Sequence, residues 1–241
     1  MKFINLQHNS AVYIQQTRSV WWFIASLLVF GAGSILAARQ YPGGFDWPYT
    51  VASALASQKH NPAGSAWFAG ALSLSMVLLW PYVSTLKKSL YPVLTASVKF
   101  AAGALRFGIL CGALVGAERL FIRDLSNWVH KAHELLAVFA FLGLYFGALG
   151  LLLQVIGRHR RYAISAFIVA SALLIIGVVQ LWVYLAQRDL GWVDTSWRAM
   201  GIPVWLSFAF WQWLAIGWLW AGLGLLSFAD GKPARTSHFP R

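Results

Sequence analysis

The polar residues best suited to chemistry lie in one segment, Arg123–Glu134, which leads into a long apolar run. Within it, Asn127, His130 and Glu134 are three and four residues apart, so a helix would place them on one face. His133 would lie about 60° around the helix from His130, which allows the two imidazoles to converge on one point. Two imidazoles and a carboxylate are adequate zinc ligands. The spacing therefore predicts a metal site or an acid–base site.

The same segment also has a purely structural interpretation. Asp124 or Ser126 could cap the helix, and Glu134 near its N-terminus would be favoured by the helix dipole. The histidines could donate hydrogen bonds to lipid phosphate or to the backbone. The order His-x-x-His-Glu matches neither HExxH nor HxxEH, the two zinc-protease signatures. The residues alone leave both interpretations open.

The gap between residues 39 and 65 is long for a connection inside a compact protein, and such loops are usually functional. If this loop folds back over the helices, Asp46 and His60 would approach His130 and His133. Three histidines and a carboxylate are the composition of a catalytic zinc site. The loop is expected to consist of turns rather than a helix. The turns are marked by Pro42, Gly43, Gly44, Pro48, Asn61, Pro62 and Gly64.

The chemistry predicted for such a site is hydrolysis of an ester or amide by zinc-bound water. Besides His130 and His133, either Glu134 or Asp124 would act as general base. Arg123 would stabilise the developing negative charge. Zinc is the cofactor that the residues suggest first, and a single haem at the mouth of this helix is conceivable.

Two further residues are expected to bind substrate. Ser53 lies in the long loop, on the same side as the histidines. Arg106 is the only charge well inside an apolar run. It either extends to the membrane surface or meets helix carbonyls, a lipid phosphate or an anionic ligand.

The amino-acid composition indicates the environment that surrounds these residues. Of the 241 residues, 59% are hydrophobic and only 11% are charged, against about 25% charged in ordinary soluble domains. Mean hydropathy is +0.62. A disordered chain, a collagen-like rod and an ordinary soluble enzyme are thereby excluded. Cys111, the single cysteine, leaves no disulfide framework and no cysteine zinc site.

Six apolar runs are each long enough to cross a bilayer core of about 30 Å. We therefore predict an all-α polytopic membrane protein, a single domain over residues 1–241 that forms a bundle of six transmembrane helices. The runs cover residues 20–38, 66–86, 100–117, 135–156, 162–186 and 203–228.

Charge sets the expected orientation. Of the 19 Lys and Arg residues, 11 fall in the two terminal segments and the second and fourth gaps, whereas six of the seven acids fall on the other side. The more basic side of a membrane protein is normally cytoplasmic, so both termini are expected to be cytoplasmic. The net charge of +12 then indicates contact with anionic lipid head groups rather than with nucleic acid.

The layout resembles the DUF998 and Frag1/DRAM/Sfk1 group of six-helix membrane proteins. The resemblance rests on the loop stretch Trp47–Leu55, on Asn61-Pro62, on Trp67-Phe68, on His133–Phe139 and on Arg198. It implies a multipass membrane fold, with lipid-related roles suggested for some relatives. The family usually has a Ser-Asp or Ser-Glu pair where this chain has Ser53-Ala54. If the acid of that pair has a functional role in the family, Asp46 would have to supply it in this chain.

Our leading functional hypothesis is a polar pocket of His, Asp and Glu residues at the extracytoplasmic interface that binds or modifies a lipid-like amphiphile. The expected location is a bacterial inner (plasma) membrane, with membrane lipids and other membrane proteins as partners. The alternative is a non-catalytic subunit or assembly factor of a larger membrane complex, because catalytic motifs are few and small residues for helix contacts are many. A small-solute transporter is disfavoured, because no run contains an acid at mid-membrane.

Overall fold

The computed structural model describes residues 2–89, 95–122, 127–158, 160–187 and 196–229. Within these ranges six long helices carry apolar windows of a length that crosses a membrane, and the described residues contain no strand. The predicted all-α, six-helix architecture is therefore confirmed. The helices are α1 (Lys2–Arg39), α2 (Ser65–Ser89), α3 (Ala96–Phe121), α4 (Asn127–Arg158), α5 (Arg160–Gln187) and α6 (Phe208–Ala229).

The helix ends differ from the apolar runs in two places that matter. Helix α3 continues past the run that ends at residue 117 and so includes Glu118 and Arg119 in its last turn. Helix α6 begins at Phe208 rather than at Pro203, because Pro203 has an extended backbone and starts a separate 3₁₀ turn, Val204–Leu206. Hydropathy marks only the part of a helix that lies in the hydrocarbon of the membrane. The helix itself extends as far as its backbone hydrogen bonds continue.

Each of the six helices packs on the next in chain order, and α6 also contacts α1 and α4. Helices α1, α2, α3, α4 and α6 therefore form a closed ring, and α5 packs against α4 and α6. We call the end where α1 finishes and α2 begins the loop end, and the end where α2 finishes and α3 begins the opposite end. An even number of crossings places the start of α1 and the end of α6 at the opposite end. Which side of the membrane that end faces stays a prediction.

Helices α3 and α4 approach each other at backbone distance. A Cβ atom added to Gly108 would lie 2.4 Å from the backbone nitrogen of Leu144, and one added to Gly143 would lie 2.6 Å from the nitrogen of Gly108. Without water in the surroundings, helices associate through such close packing, and small residues allow it. The two helices are therefore fixed to each other in the middle of the ring wall.

The loop of residues 40–64, which we call the roof loop, is not made of turns alone. Ala52–Ala56 forms a short helix, and its Leu55 and the preceding Val51 are buried. The expectation of turns without a helix is wrong at this stretch. The reason is that Ala-Ser-Ala-Leu-Ala has neither proline nor glycine and offers apolar side chains that the bundle can bury.

Candidate functional site

A cavity of about 170 Å³ lies inside the bundle, beneath the roof loop. Side chains of α1, α2, α3, α4, α6 and the short loop helix line it. For scale, an engineered apolar cavity of about 150 Å³ holds a benzene molecule. Its lining is apolar except for Ser53, His133 and Gln212.

The cavity is elongated along the helices, and its polar groups are gathered at one end. The lining runs from His133 to Leu144 on α4 and from Gln212 to Leu223 on α6. Each stretch rises about 16 Å. Ser53 belongs to the roof loop, and His133 and Gln212 lie near the loop-end starts of their helices. The shape is therefore a narrow apolar channel with a polar group of three side chains at the loop end.

His133 is held by the last turn of α3. The end of α3 and the start of α4 meet at the loop end, which brings Glu118 and Arg119 against a histidine that is only 4% exposed. The Nδ1 atom of His133 lies 2.7 Å from Oε2 of Glu118 and 3.2 Å from Nε of Arg119. Nε of Arg119 lies 3.6 Å from the same carboxylate oxygen. Three charged or titratable groups thus share one buried site.

Nδ1 of His133 cannot donate to Glu118 and accept from Arg119 at the same time. We assign the proton to Nδ1, because the 2.7 Å contact has the short length of a hydrogen bond to a carboxylate and the arginine contact is longer. The imidazole then donates to Glu118, and in its neutral form Nε2 is the acceptor nitrogen. A carboxylate that orients a histidine in this way is the usual support of a general base.

Glu118 has a second buried oxygen. Oε1 has no hydrogen-bond partner among the residues that the structure describes. Buried polar atoms are nearly always paired, since an unpaired one costs free energy. This oxygen marks the Glu118–His133 pair as a place where a further polar partner would be stabilising.

Gln212 fastens the roof loop to α6 at the mouth of the cavity. Its Oε1 accepts a hydrogen bond of 2.8 Å from the backbone nitrogen of Ala52, which leaves the amide NH₂ group as the donor on the cavity wall. One residue on, the indole nitrogen of Trp213 donates to the carbonyl of Thr50 at 3.0 Å. Ser53 is thereby carried on a segment with a defined position.

Asn61 fixes the other end of the roof loop. It is fully buried, and its amide nitrogen donates to the carbonyls of Ala37 at 3.0 Å and Leu55 at 3.2 Å. Its side-chain oxygen accepts from the nitrogen of Gly64 at 3.1 Å. One side chain thus joins the end of α1, the loop helix and the start of α2. Within the same loop, burial raises the pKa of Tyr41, which keeps its phenol neutral.

The roof loop folds back over the helices, as the hypothesis required, but Asp46 has a different partner. Its carboxylate lies 3.0 Å from Nε of Arg198, whose guanidinium stacks 5.5 Å from the ring of Tyr49. The Tyr49 hydroxyl donates to the carbonyl of Ile202 at 2.6 Å. Asp46 therefore serves the contact between the roof loop and the segment before α6.

The predicted metal ligands are not brought together in the part of the chain that the structure describes, where no cluster of three or more His, Cys, Asp or Glu side chains could hold a metal. His60 is half-buried in the roof loop, where its backbone nitrogen donates to the hydroxyl of Ser57. The side chain of His130, and Asp124 and Arg123 entirely, lie outside the described residues. The zinc site therefore stays a prediction.

Glu134 and Arg106, also predicted as site residues, lie away from the cavity lining. Glu134 is exposed beside the buried His133. Arg106 contacts Ser84 of α2. Of the predicted residues, the structure thus brings Ser53 and His133 together at one cavity.

Sequence reasoning missed Glu118, Arg119 and Gln212. A signal for Glu118 existed, because it is an acid at the loop end of the third apolar run and α4 begins shortly afterwards at the same end. Gln212 is a polar residue inside the sixth run, where an amide needs a partner. Neither signal names the partner without the packing of the helices.

Comparisons of the chain with models of protein families, with curated proteins and with solved structures found no match. The resemblance to the DUF998 and Frag1/DRAM/Sfk1 group therefore stays a prediction. The class that the fold defines is a multipass helical membrane protein with an internal cavity.

Proposed function

We propose that the protein binds a lipid-like amphiphile, with one apolar chain in the cavity and the polar head group at Ser53, His133 and Gln212. The observation that carries this proposal is the separation of polarity along the cavity. Its polar lining is confined to the loop end, and the rest of the total length of about 16 Å is apolar. A ligand with the same separation would bury its chain and keep hydrogen bonds for its head group.

The dimensions favour a chain over a bulky ring system. A volume of about 170 Å³ is below the range of about 300–1,000 Å³ typical of pockets for drug-sized molecules. Because the space is long and narrow, an acyl or prenyl segment suits it better than a fused ring. The head group would meet a hydroxyl, an amide donor and an imidazole, which together suit an ester, an amide or a hydroxyl group.

The Glu118–His133 pair supports modification of the bound head group as a second step. With Nδ1 donating to Glu118 at 2.7 Å, Nε2 of His133 is the nitrogen suited to accept a proton from a hydroxyl or a water. Ser53 lines the same cavity and offers such a hydroxyl. Hydrolysis of an ester or amide is the reaction class that this set favours, with or without the predicted zinc ion.

Binding is tested with a phospholipid that carries a photoreactive group in its acyl chain. We expect labelling of residues deep in the lining, Met76 and Leu144, after irradiation of the full chain in lipid nanodiscs. The double variant Ala137→Leu with Ala140→Leu fills the cavity and should lose that labelling. Val138→Leu, on the exposed face of the same helix, is the matched control and should keep it. Full labelling of a folded double variant would contradict the proposal.

Modification is tested separately with the 4-nitrophenyl ester of a medium-chain fatty acid. We expect His133→Ala and Glu118→Gln to lower hydrolysis by about 100-fold while photolabelling persists. Addition of EDTA, followed by zinc, tests the metal prediction in the same assay. Unchanged hydrolysis in both variants would remove the acid–base function and leave binding as the function.

A further inference from the structure

The guanidinium of Arg106 lies in the groove between α2 and α3 and is satisfied only in part. Its Nη2 atom donates to the hydroxyl of Ser84 at 3.0 Å, and its carbon lies 5.6 Å from the ring centre of Trp80. The Nε atom is buried and has no hydrogen-bond partner among the described residues. Both identified partners are neutral. A charge in this position is costly unless an anion reaches it.

The Arg106 side chain extends toward the opposite end of the bundle. Its backbone lies about 15 Å along α3 from Ala96, whereas Ser84 lies only about 7 Å from the end of α2 at Ser89. The guanidinium has therefore moved toward the membrane surface, as long basic side chains in membranes do. This end is far from the cavity mouth, which lies beneath the roof loop.

Open space and a second positive charge lie on the same side of α3. A Cβ atom added to Gly103, one turn nearer the helix start, would meet nothing within 4 Å. Lys99, one further turn along, is exposed. Residues three, four and seven apart share a helix face, so Lys99, Gly103 and Arg106 border one strip of surface, which continues beside Gly103 into an apolar groove against α4. Gly103 is exposed as well, and Trp80 on the neighbouring helix is 44% exposed, so the strip faces lipid.

We propose that this strip binds the phosphate of an anionic phospholipid, with Arg106 as the principal contact and Lys99 as a second charge. A guanidinium presents several N–H donors in a plane that matches a phosphate, so Arg106 can bind a phosphate with donors that Ser84 does not occupy. The strip lies at the end predicted to be cytoplasmic, where anionic lipids attract basic side chains. It is a second lipid site, independent of the amphiphile cavity.

The experiment measures phosphatidylglycerol that stays bound to the full chain. The protein is reconstituted with phosphatidylglycerol and phosphatidylcholine, washed in detergent, and analysed by native mass spectrometry. We expect Arg106→Gln to reduce retained phosphatidylglycerol about fivefold and Arg106→Lys to reduce it less. Arg161→Gln, at an exposed arginine of the same end, is the matched control and should retain it. Equal retention by wild type and Arg106→Gln would overturn the proposal.

A second variant keeps the charge and removes the space. Gly103→Leu should also release phosphatidylglycerol, because its side chain fills the strip, and full retention would contradict the proposed location. Inorganic phosphate, added as a competitor, distinguishes a lipid from the free ion. Displacement of the lipid at equal concentration would assign the site to phosphate itself and overturn the lipid assignment. The cavity-filling pair Ala137→Leu with Ala140→Leu should leave the Arg106-dependent part of that retention unchanged.

Discussion

Two glycines one turn apart on α3 meet opposite surroundings. A Cβ atom on Gly108 would collide with the backbone of α4, at 2.4 Å from the nitrogen of Leu144. A Cβ atom on Gly112 would meet the flexible side chain of Met76 at 3.1 Å, on the wall of the cavity, and would make an ordinary contact with Cβ of Ala140 at 3.9 Å. The bundle is therefore packed to backbone contact within one helical turn of an open space. The cavity is a local consequence of side-chain choice and not of a loosely packed fold.

The largest effect on stability is expected at Gly108, where α3 and α4 pack at backbone distance. Gly108→Ala should destabilise the protein by about 3 kcal/mol, because neither backbone can withdraw without separating α3 from α4. Thermal unfolding in detergent measures the loss. Gly103→Ala, on the same helix with open space around it, should be neutral or stabilising because alanine is the better helix former. Equal losses in the two variants would show that the α3–α4 contact is not tight.

The next largest effect on stability is expected in the roof loop, which covers the cavity. Asn61→Ala should cost about 2 kcal/mol, since three hydrogen bonds of a buried amide are lost together. Proteolysis within residues 40–64 should accelerate in parallel with the loss of stability. Lys59→Ala, at an exposed position two residues away, is the control. Proteolysis at the wild-type rate in Asn61→Ala would mean that other contacts hold the loop.

The difference between Gly108 and Gly112 also shows which features could be predicted from the sequence and which could not. The six helices were predictable because each must supply enough apolar residues to cross the hydrocarbon, which is a property of a continuous stretch. The gathering of Ser53 and His133 at one end was predictable from alternate crossing. The contact of Glu118 with His133 was not, because the third apolar run ends at residue 117 and hydropathy carries no information on which helix faces which.

The cavity itself lies beyond sequence reasoning for the same reason. Gly108 and Gly112 look alike in the sequence, since both are glycines of an apolar run spaced four apart. Only the position of α4 makes one a contact and the other part of a wall. The short loop helix was missed because the turn residues on either side of it dominated the pattern. The side chain of the predicted zinc ligand His130 and the predicted general base Asp124 lie outside the described residues.

A moderate effect on stability is expected at Gly112, on the wall of the cavity. Gly112→Ala should change stability by less than about 1 kcal/mol, because the helix gains propensity while Met76 moves aside. Unfolding alongside Gly108→Ala measures the difference directly. Photolabelling by the acyl-chain probe should persist, since one methyl group occupies little of a cavity of about 170 Å³. A loss as large as that of Gly108→Ala would mean that the cavity wall is as rigid as the α3–α4 contact.

The smallest effect is expected where the roof loop meets solvent. Arg198→Gln should cost no more than about 0.5 kcal/mol, because the arginine is 66% exposed in its pair with Asp46 and such pairs are weak. The cost should shrink in 1 M salt, where the screening length is about 3 Å. Tyr49→Phe removes a hydrogen bond to Ile202 from the same contact, and its cost of about 1 kcal/mol should not depend on salt. Arg198→Gln should therefore leave the roof loop closed. Rapid proteolysis of that variant would mean that the ion pair, rather than the hydrogen bonds of Asn61 and Gln212, holds the loop in place.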